Sequence, residues 1–194
     1  MAERARRATT RGVAAALAAA AVIVLGGCAA SGEGLPASVI EELGTRTLAE
    51  SKSPVQLLRN EAAGRLPRIV MNSAVETADV SEPCLDPDDD PAGLARSWRS
   101  TTTIIVTNSR AASIHEATTA LTTSFTDQGW ESSADSEPGV RSVLTSGDSD
   151  AVITITATDR SGDDEAAIAI DVTGACVLTA GPESQEVLAL EGRG

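Results

Sequence analysis

Apolar positions recur at two different periods along this chain, and the changes of period mark out its elements. Arg99–Thr107 is rich in β-branched residues, the signature of a strand. Ile114, Ala117, Leu121 and Phe125 then recur at helical spacing, with Ser113 and Glu116 as a capping box ahead of them and Gly129 as the C-terminal stop. Val140–Thr145 reads as a second strand and Ser146-Gly147-Asp148-Ser149 as a hairpin turn. Along Ala151–Thr158, Ile153, Ile155 and Ala157 alternate with Val152, Thr154 and Thr156, a third strand. After a turn at Ser161-Gly162-Asp163-Asp164, Ala167–Thr173 forms a fourth, with Ile168, Ile170 and Val172 on one face and Asp171 on the other. The order β-α-β-β-β predicts an α+β two-layer sandwich, an antiparallel sheet with one packed helix and a core over residues 98–178.

Shorter signals precede this block. Ser38 and Glu41 form a capping-box pair for a short helix that Gly44 ends. A second helix starts with Ser53 as N-cap and Pro54 at its first position. Val55, Leu58 and Ala62 line its face, Leu57 and Leu66 flank it, and Gly64 and Pro67 stop it. Lys52 then falls in the loop between the two helices. Arg68–Met71 suggests a short strand. Ala78–Ala92 is acidic and interrupted by Pro83, Pro87 and Pro91, so it reads as a loop. From Gly181 onward the chain reads as a flexible tail.

The N-terminus follows another pattern. Arg4, Arg6, Arg7 and Arg11 precede an apolar run, Val13–Val24, which leads into Leu25-Gly26-Gly27-Cys28. The run is too short for the roughly 20 residues of a spanning helix, and its order is that of a secretory signal. The segment resembles a bacterial lipoprotein signal peptide, whose lipobox cysteine is acylated and becomes the first residue of the mature chain. That resemblance covers 28 residues. It implies a lipidated Cys28 carrying two or three acyl chains, and a place on the outer, extracytoplasmic face of a cell membrane. The excess of arginine over lysine and the many alanines are similar to actinobacterial lipoproteins of this kind. Arg6-Arg7 points to twin-arginine export, whereas the polar residues that follow favour general secretion. The expected organisation is a signal peptide over 1–27, a tether over 28–36, one α+β domain over 37–180 and a tail over 181–194.

Removing residues 1–27 takes four of 15 basic residues and one of 28 acidic ones, leaving 11 against 27 and a net charge of −16. A body this acidic is repelled by phosphate backbones and anionic head groups. Nucleic acid is therefore excluded as an expected partner, and membrane contact falls to the lipid at Cys28. Leu, Ile, Val and Phe make up only 35 of the 167 remaining residues, so the core is expected to be small. Cys84 and Cys176 remain once Cys28 is acylated, and in an oxidising compartment their pairing is the expectation, with two buried thiols as the alternative.

Candidate chemistry is sparse. His115 is the single histidine, and it sits one and two residues from Ser113 and Glu116 on the predicted helix, where such neighbours do not face each other. Asp86, Asp88 and Asp90 alternate like the opening ligands of a calcium loop. Pro91 and Ser97 stand where that loop needs glycine and glutamate, so only a looser calcium site is a candidate, beside the plainer reading of a solvated acidic loop. There is no tyrosine, and Trp98, Trp130 and Phe125 are the only aromatics, all in core-like contexts. No phosphate-cradling glycine loop, nucleophile elbow or zinc spacing is present, and no cofactor is expected. The expectation is a non-catalytic binding or scaffolding module whose partner is another envelope protein or an exported ligand. The alternative is a carboxylate-dependent hydrolase acting on envelope material. The orientation of Asp171 discriminates between them: an enzyme needs a carboxylate with a raised pKa in a concave site, whereas strand parity sends Asp171 to the solvent face.

Overall fold

The computed structural model describes residues 34–67, 74–107, 111–134, 140–160 and 165–194. The expected short strand over Arg68–Met71, the signal peptide and Cys28 lie outside them, as do the residues of the predicted turn after Arg160. The chain is an α+β protein, with four helices and one antiparallel sheet of seven strands among the described residues. In chain order the elements are α1 (Ala37–Leu43), α2 (Leu48–Gly64), β1 (Ala74–Pro83), β2 (Ala95–Thr107), α3 (Ala111–Thr126), β3 (Glu131–Ala134), β4 (Arg141–Ser146), β5 (Ser149–Arg160), β6 (Glu165–Thr173), β7 (Val177–Leu178) and α4 (Gln185–Leu190). The strands lie in the order β1-β2-β6-β5-β4-β3, and β7 pairs with β2 beyond the end of β6.

The alternation read from the sequence governs the sheet. Ile104 faces Ile168 across β2 and β6, Ile155 faces Ile170, and Ile153 faces both Val172 and Leu144. All of these side chains are buried, and α2 and α3 pack against the strands that carry them. Ile114, Ala117, Leu121 and Phe125 form the buried stripe of α3 as their spacing predicts. Phe125 and Trp130 meet edge-on, with ring centroids 5.5 Å apart, closing the core beyond the turn that Gly129 makes at φ 91°. Many of the intervening residues of β2, β5 and β6 are short and half-exposed, among them Thr101, Thr103, Thr154, Thr156 and Ala169.

Several expectations are corrected. Helix α1 begins after Pro36 without a side-chain cap, so Ser38 lies inside it. Helix α2 begins six residues earlier than read, because Thr47 and Glu50 form a complete capping box upstream of Ser53. Pro54 is then inside the helix, where its exposed ring costs one backbone hydrogen bond. Lys52 is therefore a helical residue, with Nζ 4.5 Å from the centre of the Trp98 ring and donating to the Leu190 carbonyl at 2.6 Å. Helix α3 starts at Ala111, which places Ser113 within its first turn rather than at its cap. The stretch read as a loop from Ala78 contains most of β1, an edge strand that ends at Pro83, an outward-facing position where no N–H is needed toward β2. Strands β3 and β7 were not foreseen, being only four and two residues long. The C-terminal segment is docked: Ser184 caps α4, and Val187 is fully buried in the common core. Leu48, Val55, Ala62 and Leu66 join that core as well, so it extends well beyond residues 98–178.

Two outcomes follow from this packing. Ile170→Ala removes a fully buried side chain from the centre of the sheet and should cost about 2–5 kcal/mol in urea denaturation, whereas Leu57→Ala, 65% exposed, should change stability by less than about 0.5 kcal/mol. Asp79 titrates below the usual carboxylate range. Burial works to raise its pKa, but the polar side chains of Ser100, Gln56 and Trp98 and the charge of Arg59 outweigh it. A carboxylate with a depressed folded-state pKa stabilises the fold above its unfolded pKa, about 3.9, and that contribution is lost as pH falls through the lower folded value. Asp79→Asn should therefore flatten the acid limb of the stability–pH curve below about pH 4 and leave its slope near neutrality unchanged.

Candidate functional site

A grooved surface lies where the α1–α2 connection meets the start of β5 and the link between β6 and β7. Gly44 ends α1 at φ 69°, a left-handed conformation that suits glycine, and turns the chain into Thr45-Arg46-Thr47. Thr47 then caps α2, its backbone N–H donating to Glu50 Oε2 at 2.9 Å while its Oγ1 accepts from the Glu50 N–H at 3.3 Å. Opposite, the tight Gly147-Asp148 turn brings Asp150 to the head of β5. Arg46 and Asp150 meet in an exposed, hydrogen-bonded ion pair.

Two adjoining depressions, of about 500 and 550 Å³, share Thr45, Arg46, Asp150 and Ala175 in their walls. The first continues over Ser51, Pro54, Val55 and Gly174, and the second over Glu42, Gly44 and Cys176. The ion pair thus stands at the boundary of one groove. Its floor is set by a close approach: a Cβ on Gly174 would lie 2.7 Å from Val55 Cγ2 and closer still to Ser51 Oγ, so only glycine lets α2 sit against this link. The Gly174 N–H also donates to the Trp98 carbonyl at 2.9 Å, continuing the ladder past the end of β6.

The Cys84–Cys176 disulfide is formed, with Cα atoms 5.8 Å apart, and it ties the loop after β1 to the groove wall. Cys176 is half-exposed rather than core-facing, because β6 ends at Thr173 and the strand parity lapses before it is reached. The groove offers one guanidinium, the carboxylates of Glu42, Glu50 and Asp150, and the hydroxyls of Thr45, Ser51 and Ser149. Glu50 titrates below the usual range, held there first by the Thr47 backbone N–H, then by the Thr47 side chain, against a slight opposing effect of burial, with Arg46 adding to the lowering. Paired charges at the rim of an apolar trough can orient a small polar ligand or a peptide through charge-assisted hydrogen bonds.

The acidic loop uses its carboxylates locally. Asp86 Oδ1 accepts from the Asp88 N–H at 3.2 Å, and the Asp86 carbonyl accepts from the N–H groups of Asp89 and Asp90, both at 2.9 Å. Asp90 is buried, and its Oδ2 accepts from the Ala95 N–H at 2.7 Å, stapling the loop to β2. Among the described residues no three His, Cys, Asp or Glu side chains are grouped as a metal site. His115 is half-buried on α3, far in the chain from the groove-lining residues. Asp171 lies opposite the Ile168–Ile170–Val172 face, as its parity predicts, and is gripped by Arg99: Nε donates to Oδ1 at 2.7 Å and to Oδ2 at 2.8 Å, and Nη2 donates to Oδ2. Glu82 accepts from Arg99 Nη1 at 3.2 Å.

Sequence reasoning did not single out Arg46 or Glu50, and it reads Asp150, with Asp148, only as a carboxylate of the hairpin turn. The Thr47-x-x-Glu50 box was there to be found, but nothing in the sequence brings Arg46 to a residue 104 positions away.

The disulfide closes a loop of 92 residues, worth about 4–5 kcal/mol on the chain-entropy model. Reduction, or the Cys84→Ser/Cys176→Ser double substitution, should lower unfolding stability by that order in urea titrations, with free-thiol alkylation of the untreated protein detecting neither Cys84 nor Cys176.

Compared with protein-family models, with curated proteins and with solved structures, the chain matches none of them.

Proposed function

We propose that the chain is a lipid-anchored envelope protein whose extracytoplasmic domain binds or scaffolds rather than catalyses. The N-terminal 28 residues support the anchor: a basic segment, a short apolar run and Leu25-Gly26-Gly27-Cys28. The apolar run is shorter than the roughly 20 residues a spanning helix needs, so in this reading attachment rests on the acylated Cys28. We take the architecture as a two-layer sandwich, with α2 and α3 over one face of the sheet. The alternation of buried positions along Ser100–Val106 of β2 and along β4, β5 and β6 supports that layering.

The observation that carries the binding reading is the state of Asp171. A carboxylate-dependent hydrolase needs an acid kept partly neutral by desolvation or by a like charge. Asp171 instead lies within a guanidinium fork, with both of its carboxylate oxygens already engaged by Arg99. Arg99, shared with Glu82, is driven further toward permanent protonation, chiefly by its hydrogen bonds to Asp171, with burial opposing and the two carboxylate charges adding. Two of the groove carboxylates are likewise engaged, Asp150 by Arg46 and Glu50 by the Thr47 cap. Carboxylates engaged in this way support a hydrogen-bonding surface rather than an acid–base site.

The test has two arms. Mass spectrometry of membrane-extracted protein should show a diacyl- or triacylglyceryl mass on an N-terminal Cys28, and Cys28→Ser should release the chain from the membrane fraction; an unmodified chain beginning at Met1 would sink the anchor. Screened against glycan, peptide and ester substrates, the purified protein should give no turnover that Asp150→Asn or Asp171→Asn removes. Such a turnover, lost with the fold intact, would replace the binding reading with the hydrolase.

A further inference from the structure

The outer edge of β1 is sealed at one end and open at the other. Ser81 faces Trp98 in the β1–β2 ladder, but its N–H points away from β2 and donates to Glu191 Oε1 at 2.9 Å. The Ser81 carbonyl accepts from Arg96 Nη2 at 2.5 Å. Glu191 follows the last residue of α4 and is itself held by Arg193. Two side chains thus close both outward backbone groups at this position, in the way exposed sheet edges are blunted against pairing.

The register then places the rest of the edge. Strand β1 pairs with β2 without a bulge, so outward-facing residues recur at every second position: Ser81, Asp79, Thr77 and Val75. Two bonds agree with this parity, since the Cys84 N–H turns inward to the Ala95 carbonyl and the Trp98 carbonyl turns to Gly174 rather than to β1. Val75, Thr77 and Asp79 therefore present three N–H and three C=O groups outward, and no side chain or strand among the described residues takes them. Alongside stand Val75, 54% exposed, and Val80, 41% exposed, two of the three large apolar side chains that the described surface leaves open.

We propose that this open segment, Val75–Val80, binds an extended basic segment of another protein, which adds antiparallel to the sheet as an eighth strand. The backbone groups supply its hydrogen bonds, as in other strand additions. Charge selects the partner. Glu76 is exposed on the strand, Glu82 and Glu191, each already paired with an arginine, flank it, and the whole chain carries a net charge of −13. A second copy of this chain would bring the same acidic strand and the same net charge to the contact, so self-pairing is opposed where a Lys- or Arg-bearing strand is favoured. The position opposite Glu76 takes the basic residue and the position opposite Val80 an apolar one. Asp79 contributes its backbone, because its side chain is turned under the Trp98 indole, Nε1 to Oδ1 at 3.4 Å. This surface is separate from the groove and deepens the binding reading by naming a partner class, so loss of one leaves the other standing.

The experiment uses the full chain in detergent with three fluorescent probes: a seven-residue peptide alternating Lys and Val, its Glu and Val counterpart, and the Lys peptide with a central proline. The Lys peptide should bind, the other two should not, and its affinity should fall as salt rises. Binding should shift the backbone amide resonances of Val75, Thr77 and Asp79. Thr77→Pro is the informative variant, because the Thr77 N–H faces outward and proline is tolerated on an edge at such a position. It should weaken the Lys peptide by roughly tenfold or more while the melting temperature stays unchanged. Glu76→Lys, which leaves the backbone alone, should weaken the Lys peptide and admit the Glu peptide. Equal binding of the Lys peptide to the wild type and Thr77→Pro overturns the proposal, as does binding of none of the three probes. A wild type that sediments as a dimer, and a Thr77→Pro variant that is monomeric, would overturn it in favour of self-pairing.

Discussion

The ladder between β2 and β6 is the constraint on which the other contacts depend. From Arg99–Thr173 to Thr107–Glu165 it runs without a bulge, and it decides which side chains meet the helices. In this register Ile104, Ile168, Ile170 and Val172 share the covered face, while Arg99 and Asp171 meet on the open one. A slip of one residue would exchange the two sets, because side chains alternate with period two. The apolar set would then face water and an aspartate would enter the core, at a desolvation cost that no apolar gain offsets. One pairing therefore sorts hydrophobic packing and charge pairing together.

The space above the covered face is not uniform. Over β5 and β6, α3 contributes Ile114, Ala117, Leu121 and Phe125, an ordinary apolar stripe. Over β2, α2 contributes Ser51 and Arg59 beside Leu48, Val55 and Ala62, and meets Ser100 and Thr102 from below. Arg59 is buried, donates to Thr102 Oγ1 at 3.1 Å and leaves its Nε without an acceptor. Such a layer yields less transfer free energy than an apolar one and depends more on close approach and cross-links. Gly174 lets α2 descend, Lys52 covers Trp98, Asp90 staples the β1–β2 loop, and the disulfide binds that loop to the β6–β7 link. The groove and the partly open edge both belong to this polar half.

Position along the chain is a poor guide to how the two ends of the sheet are finished. Residues 185–190 form a helix whose buried Val187 reaches the core, and Glu191 just beyond it closes one position of β1. A segment that reads as a polar tail therefore sets where the edge stops being available. Likewise the carboxylates of the acidic loop look like ligands in sequence, yet Asp86 and Asp90 are spent on nearby N–H groups, as short polar side chains in turns commonly are.

What the amino-acid sequence determined by itself is whatever depends on local period and local chemistry. The α+β class, the stripe of α3, the alternation of β4, β5 and β6, the hairpin at Gly147-Asp148 and the pairing of Cys84 with Cys176 were all legible there. Each rests on neighbours within a few residues or, for the disulfide, on elimination among three cysteines. Tertiary structure alone decided the rest. Strand β1 carries few apolar residues and is held as a strand by its ladder to β2, so its own composition reads as loop. Helix α2 runs through Pro54 because a cap at Thr47 and packing on the sheet outweigh one missing hydrogen bond. Arg46 meets Asp150, Glu191 meets Ser81, and Arg99 meets Asp171, across 104, 110 and 72 positions. Contacts at such separations leave no periodic trace, because what brings their partners together is the order of the strands.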